Sequence, residues 1–197
     1  MKVVIWTGKG GNGKSFLTAQ LIYNGFEAID LDPFGDIFDR FEDKSIYLEE
    51  HEEIPDLSAI EGDIVLDFKG GKDRRLKGAL DKADLLIIPV VPSRESVATT
   101  LKSIEYINHD IKKLFVINMI DKDSNLEDTL EVLRDSIEEE IVYSTIKLSK
   151  AYRTSINNNE SIVAMAEEKS LRSGAYRTHS KEIKAFLNKV EEFRKWV

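Results

Sequence analysis

The stretch that decides the fold is Lys2-Val3-Val4-Ile5-Trp6-Thr7-Gly8-Lys9-Gly10-Gly11-Asn12-Gly13-Lys14-Ser15-Phe16-Leu17. Its first part is short, apolar and β-branched, which predicts a buried strand over residues 2–7. From Phe16 to Tyr23 the apolar residues fall at helical spacing. Between them, Gly8 to Ser15 fits G-x-x-x-x-G-K-[ST], the phosphate-binding loop. The glycines let the backbone curl so that successive N–H groups point inward at phosphate oxygens. The helix that follows adds the partial positive charge of its N-terminus. Lys14 is expected at the β- and γ-phosphates, and the Ser15 hydroxyl on Mg²⁺. The nucleotide-binding set expected here is Gly8, Gly10, Gly11, Asn12, Gly13, Lys14, Ser15 and Phe16.

Lys9 is extra to the ordinary motif. Lys9-Gly10-Gly11-Asn12-Gly13-Lys14-Ser15 resembles the deviant Walker-A sequence K-G-G-x-G-K-[ST] of the ParA/MinD ATPases. The resemblance implies a doubly wound α/β fold, ATP and Mg²⁺ as ligands, and a homodimer formed on ATP binding. It also implies that Lys9 reaches across the dimer to the partner's nucleotide, a catalytic role beside Lys14. Asn12 stands where the family usually has Val, and Ser15 where Thr is commoner; neither change removes a needed group.

Further motifs follow in the order the resemblance implies. Ala28-Ile29-Asp30-Leu31-Asp32-Pro33 is similar to the family's D-x-D-P. By that match Asp32 orients the attacking water, and Asp30 lies near the metal and Lys14. On its own, the Asp-Pro pair also fits a turn with a helix cap. The family continues with Gln; here Phe34 follows. Asp63-Ile64-Val65-Leu66-Asp67 has the Walker-B pattern, a carboxylate at the end of an apolar strand, and Asp67 is expected to hold Mg²⁺ through water. The metal set is thus Ser15, Asp30 and Asp67. Lys69 is atypical after such a strand, and is read as solvated rather than as a charge near the phosphates. Leu114 to Asp121 is another apolar strand. It carries Asn118, which matches the family asparagine on the adenine edge, where an amide offers both donor and acceptor. Thr145-Ile146 with Ala151-Tyr152-Arg153 resembles the segment opening a late helix in the short, partition-type members.

The chain has 197 residues, 42% of them hydrophobic and 32% charged, which suits one globular α/β domain over residues 1–197. No apolar run reaches the length of a membrane span. With the first strand expected almost at Met1, neither a signal peptide nor a preceding DNA-reading domain is expected. With Cys at 0 there is no cysteine-ligated iron–sulfur cluster, and a cytoplasmic protein is expected. The polar stretch 39–62 reads as a helix and loops between strands. Its acids Glu49, Glu50, Glu52 and Glu53 read as a solvated face, and His51 makes a poor metal site.

The net charge is -8, unevenly spread. From Lys169 onward eight basic residues (Lys169, Arg172, Arg177, Lys181, Lys184, Lys189, Arg194, Lys195) face three acids, a local excess of five positive charges. Such a region is either an electrostatic footprint for DNA phosphates or a salt-bridged helix whose cations match acids elsewhere. Ile183, Phe186, Leu187, Val190, Phe193 and Val197 form an amphipathic stripe. It reads as docking on the sheet; Glu191 and Glu192 interrupt it and argue against a membrane-targeting helix.

Strands are expected near 2–7, 28–31, 63–68, 85–90, 113–119 and 140–146, in a mostly parallel sheet with helices on both faces. The resemblance implies an ATPase switch for plasmid or chromosome partition. Such a switch binds DNA without sequence preference, is nucleoid-associated, and answers to a centromere-binding adaptor. A conjugation-associated or MinD-like positioning ATPase, and a weakly hydrolysing nucleotide-binding scaffold, stay open beside it.

Overall fold

The computed structural model describes residues 1–107, 110–168 and 173–195. Its centre is a seven-stranded sheet in the order β3-β2-β4-β1-β5-β6-β7. The strands are β1 (Lys2–Ile5), β2 (Glu27–Leu31), β3 (Ser45–Tyr47), β4 (Ile64–Phe68), β5 (Leu85–Val90), β6 (Lys113–Ile120) and β7 (Tyr143–Lys147). Every pairing between them is parallel. Strand order reverses at β1, so the crevice beyond its C-terminal end is where a ligand fits in a sheet of this kind. The phosphate-binding loop leaves β1 at that point and runs into α1 (Lys14–Tyr23).

Alternation along the strands builds two cores. Val3 and Ile5 face one layer and Val4 and Trp6 the other, all four buried. On the first face lie Leu17, Leu21 and Ile22 of α1, joined by residues of α6 (Lys150–Asn158), α7 (Ile162–Glu167) and α8 (Arg177–Arg194). The second face is covered by α3 (Leu76–Leu80), α4 (Arg94–Ile107) and α5 (Asp123–Ser136). Because both faces are covered, β5 is buried at every residue, as its unbroken apolar run predicts.

Two local readings change. The 39–62 stretch contains β3, a three-residue edge strand paired with β2, preceded by the single turn α2 (Ile37–Arg40). The last strand starts at Tyr143, so Glu140 and its neighbours stay outside it. The acids at 49–53 are exposed, as expected of a solvated face, and some are also paired. Glu50 pairs with Lys69 and Glu53 with Arg74, while the Glu49 carbonyl accepts from Arg75 Nη1 at 2.7 Å. Lys69 is thereby turned toward this acidic loop.

The amphipathic stripe of α8 is consumed by the protein's own core. Ile183, Phe186 and Val190 are buried against the first face, with Leu187 and Phe193 packed beside them. Val197, Lys169 and Arg172 lie outside the described residues. Among the described residues no helix is long and apolar enough to cross a membrane.

Candidate nucleotide site

Gly11 and Gly13 adopt positive φ, 77° and 87°, the left-handed backbone the loop's curl requires. Gly13 is held for a second reason: a Cβ there would land on the Asn118 side-chain amide. The loop is braced from three sides. The Gly8 N–H donates to Ser103 Oγ of α4 at 3.0 Å. Buried Asn12 donates from Nδ2 to the Pro89 carbonyl at the end of β5, at 3.2 Å. Gly70, after β4, approaches so closely that a Cβ on it would meet the Gly10 nitrogen at 2.6 Å. The neighbouring Gly71 carbonyl accepts from the Trp6 indole at 2.8 Å.

Lys14 and Ser15 open α1. The Lys14 side chain is buried, and burial lowers its pKa against the pull of Asp67 first and then Asp32. Asp67 ends β4, in register with Asp30 on β2 and Ile5 on β1. It is fully buried, and neither carboxylate oxygen has a hydrogen-bond partner among the described residues. Burial, and then the charge of Asp30, push its pKa up to about 7, with the nearby Ser15 hydroxyl and Lys14 acting the other way. A buried carboxylate without a donor is a poor resting state unless a cation completes it. Asp67 with Ser15 therefore fits Mg²⁺. Among the described residues no three acidic or histidine side chains converge as a metal cage. That suits Mg²⁺, which takes few protein ligands and is completed by water and phosphate.

Asp30 is the register partner of Asp67, which feels its charge, and it also holds the loop after β2. Its Oδ1 accepts from the Asp32 N–H at 3.0 Å and its Oδ2 from the Phe38 N–H at 3.1 Å. Both oxygens tie down the loop after β2, so in this arrangement Asp30 shapes that loop. Burial raises its pKa, opposed by those two backbone bonds. Asp32 is half-buried. Its Oδ1 accepts from the Phe34 N–H at 3.0 Å, Oδ2 takes no hydrogen bond among the described residues, and its charge is felt at Lys14. The turn leaves Phe34 95% exposed, where a buried packing role is excluded.

Asn118 lies at an irregularity of β6: its ladder with β7 shifts register between Ile117 and Ile120, and Met119 is left-handed at φ 58°. Such a break re-aims a side chain. The Asn118 Nδ2 donates to the Asn12 carbonyl at 3.0 Å, and Oδ1 accepts from the Met119 N–H at 2.9 Å. The amide thus supports the loop from below. Phe16 packs edge-on against Tyr152 of α6, ring centroids 5.0 Å apart. Tyr152 in turn donates to Glu182 of α8 at 2.5 Å.

Two residues escape a reading of the sequence alone. Glu95, in the first turn of α4, pairs with Lys9 at 2.8 Å. Leu148 is 63% exposed immediately after β7, and its N–H bonds the Ile120 carbonyl beside the Asn118 strand end. No local pattern marks either one. A separate groove between α4 and α5, lined by Pro92, Val97, Leu101 and Val132, holds none of the loop or carboxylate residues.

The fold has counterparts among solved structures. The chain has the fold of the ParA and MinD nucleotide-binding proteins. It is similar to a Cyanothece McdA variant in complex with ATP, at 12% identity and TM-score 0.68, over 93% of this chain and 94% of that one. A plasmid partition protein from Borrelia burgdorferi matches at 16% identity and TM-score 0.59, over 95% and 98%. MinD from Pyrococcus horikoshii OT3, complexed with Mg-ADP, matches at 16% and 0.57, over 92% and 95%. No protein-family model matches the sequence, and none of the curated proteins is similar to it at the level of sequence.

Proposed function

We propose that this chain is a Mg²⁺-dependent ATPase of the ParA/MinD type, a switch that dimerises on ATP and positions DNA or cargo. The observation that carries the reading is the convergence of buried Lys14, unpartnered Asp67 and half-buried Asp32 on one glycine loop with Lys9 at its rim. Lys14 would face the β- and γ-phosphates as a desolvated point charge. Ser15 and Asp67 would hold Mg²⁺, which neutralises charge developing on the phosphates. Asp32, with one oxygen anchored to its own turn and the other open, would orient the attacking water. Solved structures of the same fold in complex with ATP and with Mg-ADP support the choice of ligand.

Lys9 tests the dimer. Lys9→Ala is expected to keep ATP binding in the monomer and lose the ATP-dependent dimer in sedimentation velocity. A normal ATP dimer in the variant would overturn the trans role. Asp32→Ala tests the chemistry: ATP binds and dimers form, while turnover falls by about a hundredfold or more, the usual worth of a positioned acid or base. Equal, slow turnover in wild type and variant, with an adaptor protein present, would favour the scaffold reading.

The DNA-carried form of the function rests on the tail. Lys184, Lys189 and Arg194 are engaged by Glu167, Glu192 and Asp63. Arg177 and Lys181 are exposed and, among the described residues, have no ion-pair partner; their four-residue spacing puts them on one face of α8. Lys150 and Arg153 lie on α6, which Tyr152 ties to α8. Arg177→Glu with Lys181→Glu should weaken DNA binding for all sequences alike. It should also flatten the salt dependence by about one unit of log–log slope for each phosphate the tail no longer neutralises. Filter binding across a salt series reads both. Unchanged affinity and slope would place the DNA surface elsewhere.

A further inference from the structure

We infer that Glu95 is a positioning residue for Lys9: it holds the loop lysine on its own protomer, and Lys9 must leave it before reaching a second nucleotide. The inference rests on the dimer reading above and adds to it a residue that no motif contains.

Lys9 Nζ sits 2.8 Å from Glu95 Oε2. No other acid lies within ion-pair distance of Lys9 among the described residues. Glu95 occupies the first turn of α4, where the helix dipole favours a carboxylate, so it is held ready although exposed. The loop and α4 cannot slide apart to loosen the contact. Gly8 is bonded to Ser103 Oγ, which itself donates to the Thr99 carbonyl at 2.7 Å. A Cβ on Gly8 would stand only 2.6 Å from that Oγ, so helix and loop are in direct contact. Gly70 closes on the loop from its other flank. With the Lys9 backbone pinched between α4 and the Gly70 segment, the freedom that remains is in the side chain. That side chain is partly exposed, so it can exchange Glu95 for water or for an anion beyond the protomer.

The strength of the pair suits a bias. An ion pair this exposed changes an equilibrium by about 1.5- to 5-fold. Phosphates, with more charge, outcompete it, so it delays dimerisation without forbidding it. Two lysines are released per dimer, and the effects multiply.

Sedimentation velocity with a non-hydrolysable ATP analogue tests this. Glu95→Gln, which keeps shape and removes charge, should tighten the nucleotide-dependent dimer by about 2- to 25-fold at low salt. The ratio of wild-type to variant Kd should shrink toward one as added salt shortens the screening length. Glu95→Asp, which keeps the charge, should restore part of the wild-type behaviour. The double variant Lys9→Ala/Glu95→Gln should stay monomeric like Lys9→Ala alone, because there is no lysine to release. An unaltered Glu95→Gln dimer, or a dimer regained by adding Glu95→Gln to Lys9→Ala, overturns the role of Glu95 while leaving the dimer reading in place. A wild type and Glu95→Gln variant that both bind nucleotide and both stay monomeric overturn the dimer reading, and this inference with it.

Discussion

Lys14→Ala is expected to lower ATP affinity by at least about a hundredfold. The ammonium it removes is buried at the head of α1, with Asp67 and Asp32 as its nearest charges. Removing one member of a desolvated charge set costs about 3–5 kcal/mol, because what remains is left uncompensated. Here the uncompensated group would be the incoming phosphate, which then meets two aspartates with no lysine between them. Lys14→Met keeps the buried stem and separates loss of charge from loss of packing. Titration of a fluorescent ATP analogue into both variants, each checked for native secondary structure, reads the effect. Affinity near wild type in either one would remove the phosphate-loop assignment.

Asp67→Asn should make the nucleotide-free protein more stable at pH 8, an unusual outcome for a substitution in a candidate site. The folded pKa of Asp67 is pushed up to about 7 from an ordinary 3.8. A raised carboxylate favours the folded state only while protonated. Its contribution is full below about pH 4 and is lost as pH rises through 7. A shift of about three units corresponds to roughly 4 kcal/mol between those limits. Asn carries no charge to desolvate but leaves a buried amide without partners, which costs about 1–3 kcal/mol. The net gain at pH 8 is therefore about 1–3 kcal/mol, and it should vanish or reverse near pH 4. Urea unfolding midpoints for both proteins across this range, without nucleotide or Mg²⁺, give the comparison. A stability difference that does not vary with pH would show that the Asp67 carboxyl does not sit as a buried, uncompensated acid.

Much of this architecture is legible in the sequence because its signals are local. The strand–glycine loop–helix order of residues 2–23 points to a phosphate site, and the unbroken apolar runs at 85–90 and 114–117 specify strands covered on both faces. What escapes depends on contacts between distant residues. Ser45-Ile46-Tyr47 is too short and too mixed to announce a strand; only its pairing with β2 makes it one. The D-x-D-P match puts Asp30 beside the metal. Its two oxygens also accept from backbone N–H groups two and eight residues later, which spacing alone does not reveal. The acids of 49–53 are solvated as the chain suggests, but their pairing with Lys69 and Arg74, beyond the next strand, could not be read locally. Glu95 is an ordinary first-turn acid until the fold sets it against Lys9.

The contact between Gly13 and Asn118 bears on how this chain can change over generations. The glycine leaves the space that the amide fills, and the amide supports the carbonyl of Asn12 just before it. A side chain gained at position 13 would evict Asn118, and a bulkier residue at 118 would press on the loop. Neither position can drift freely, although they lie in the first and the last of the nucleotide motifs. Gly13 is therefore fixed twice, by its backbone and by the amide, so a tolerated change at 118 is expected only where the new side chain still clears the glycine, and swapping the segment around β6 between related proteins should fail unless the glycine loop travels with it.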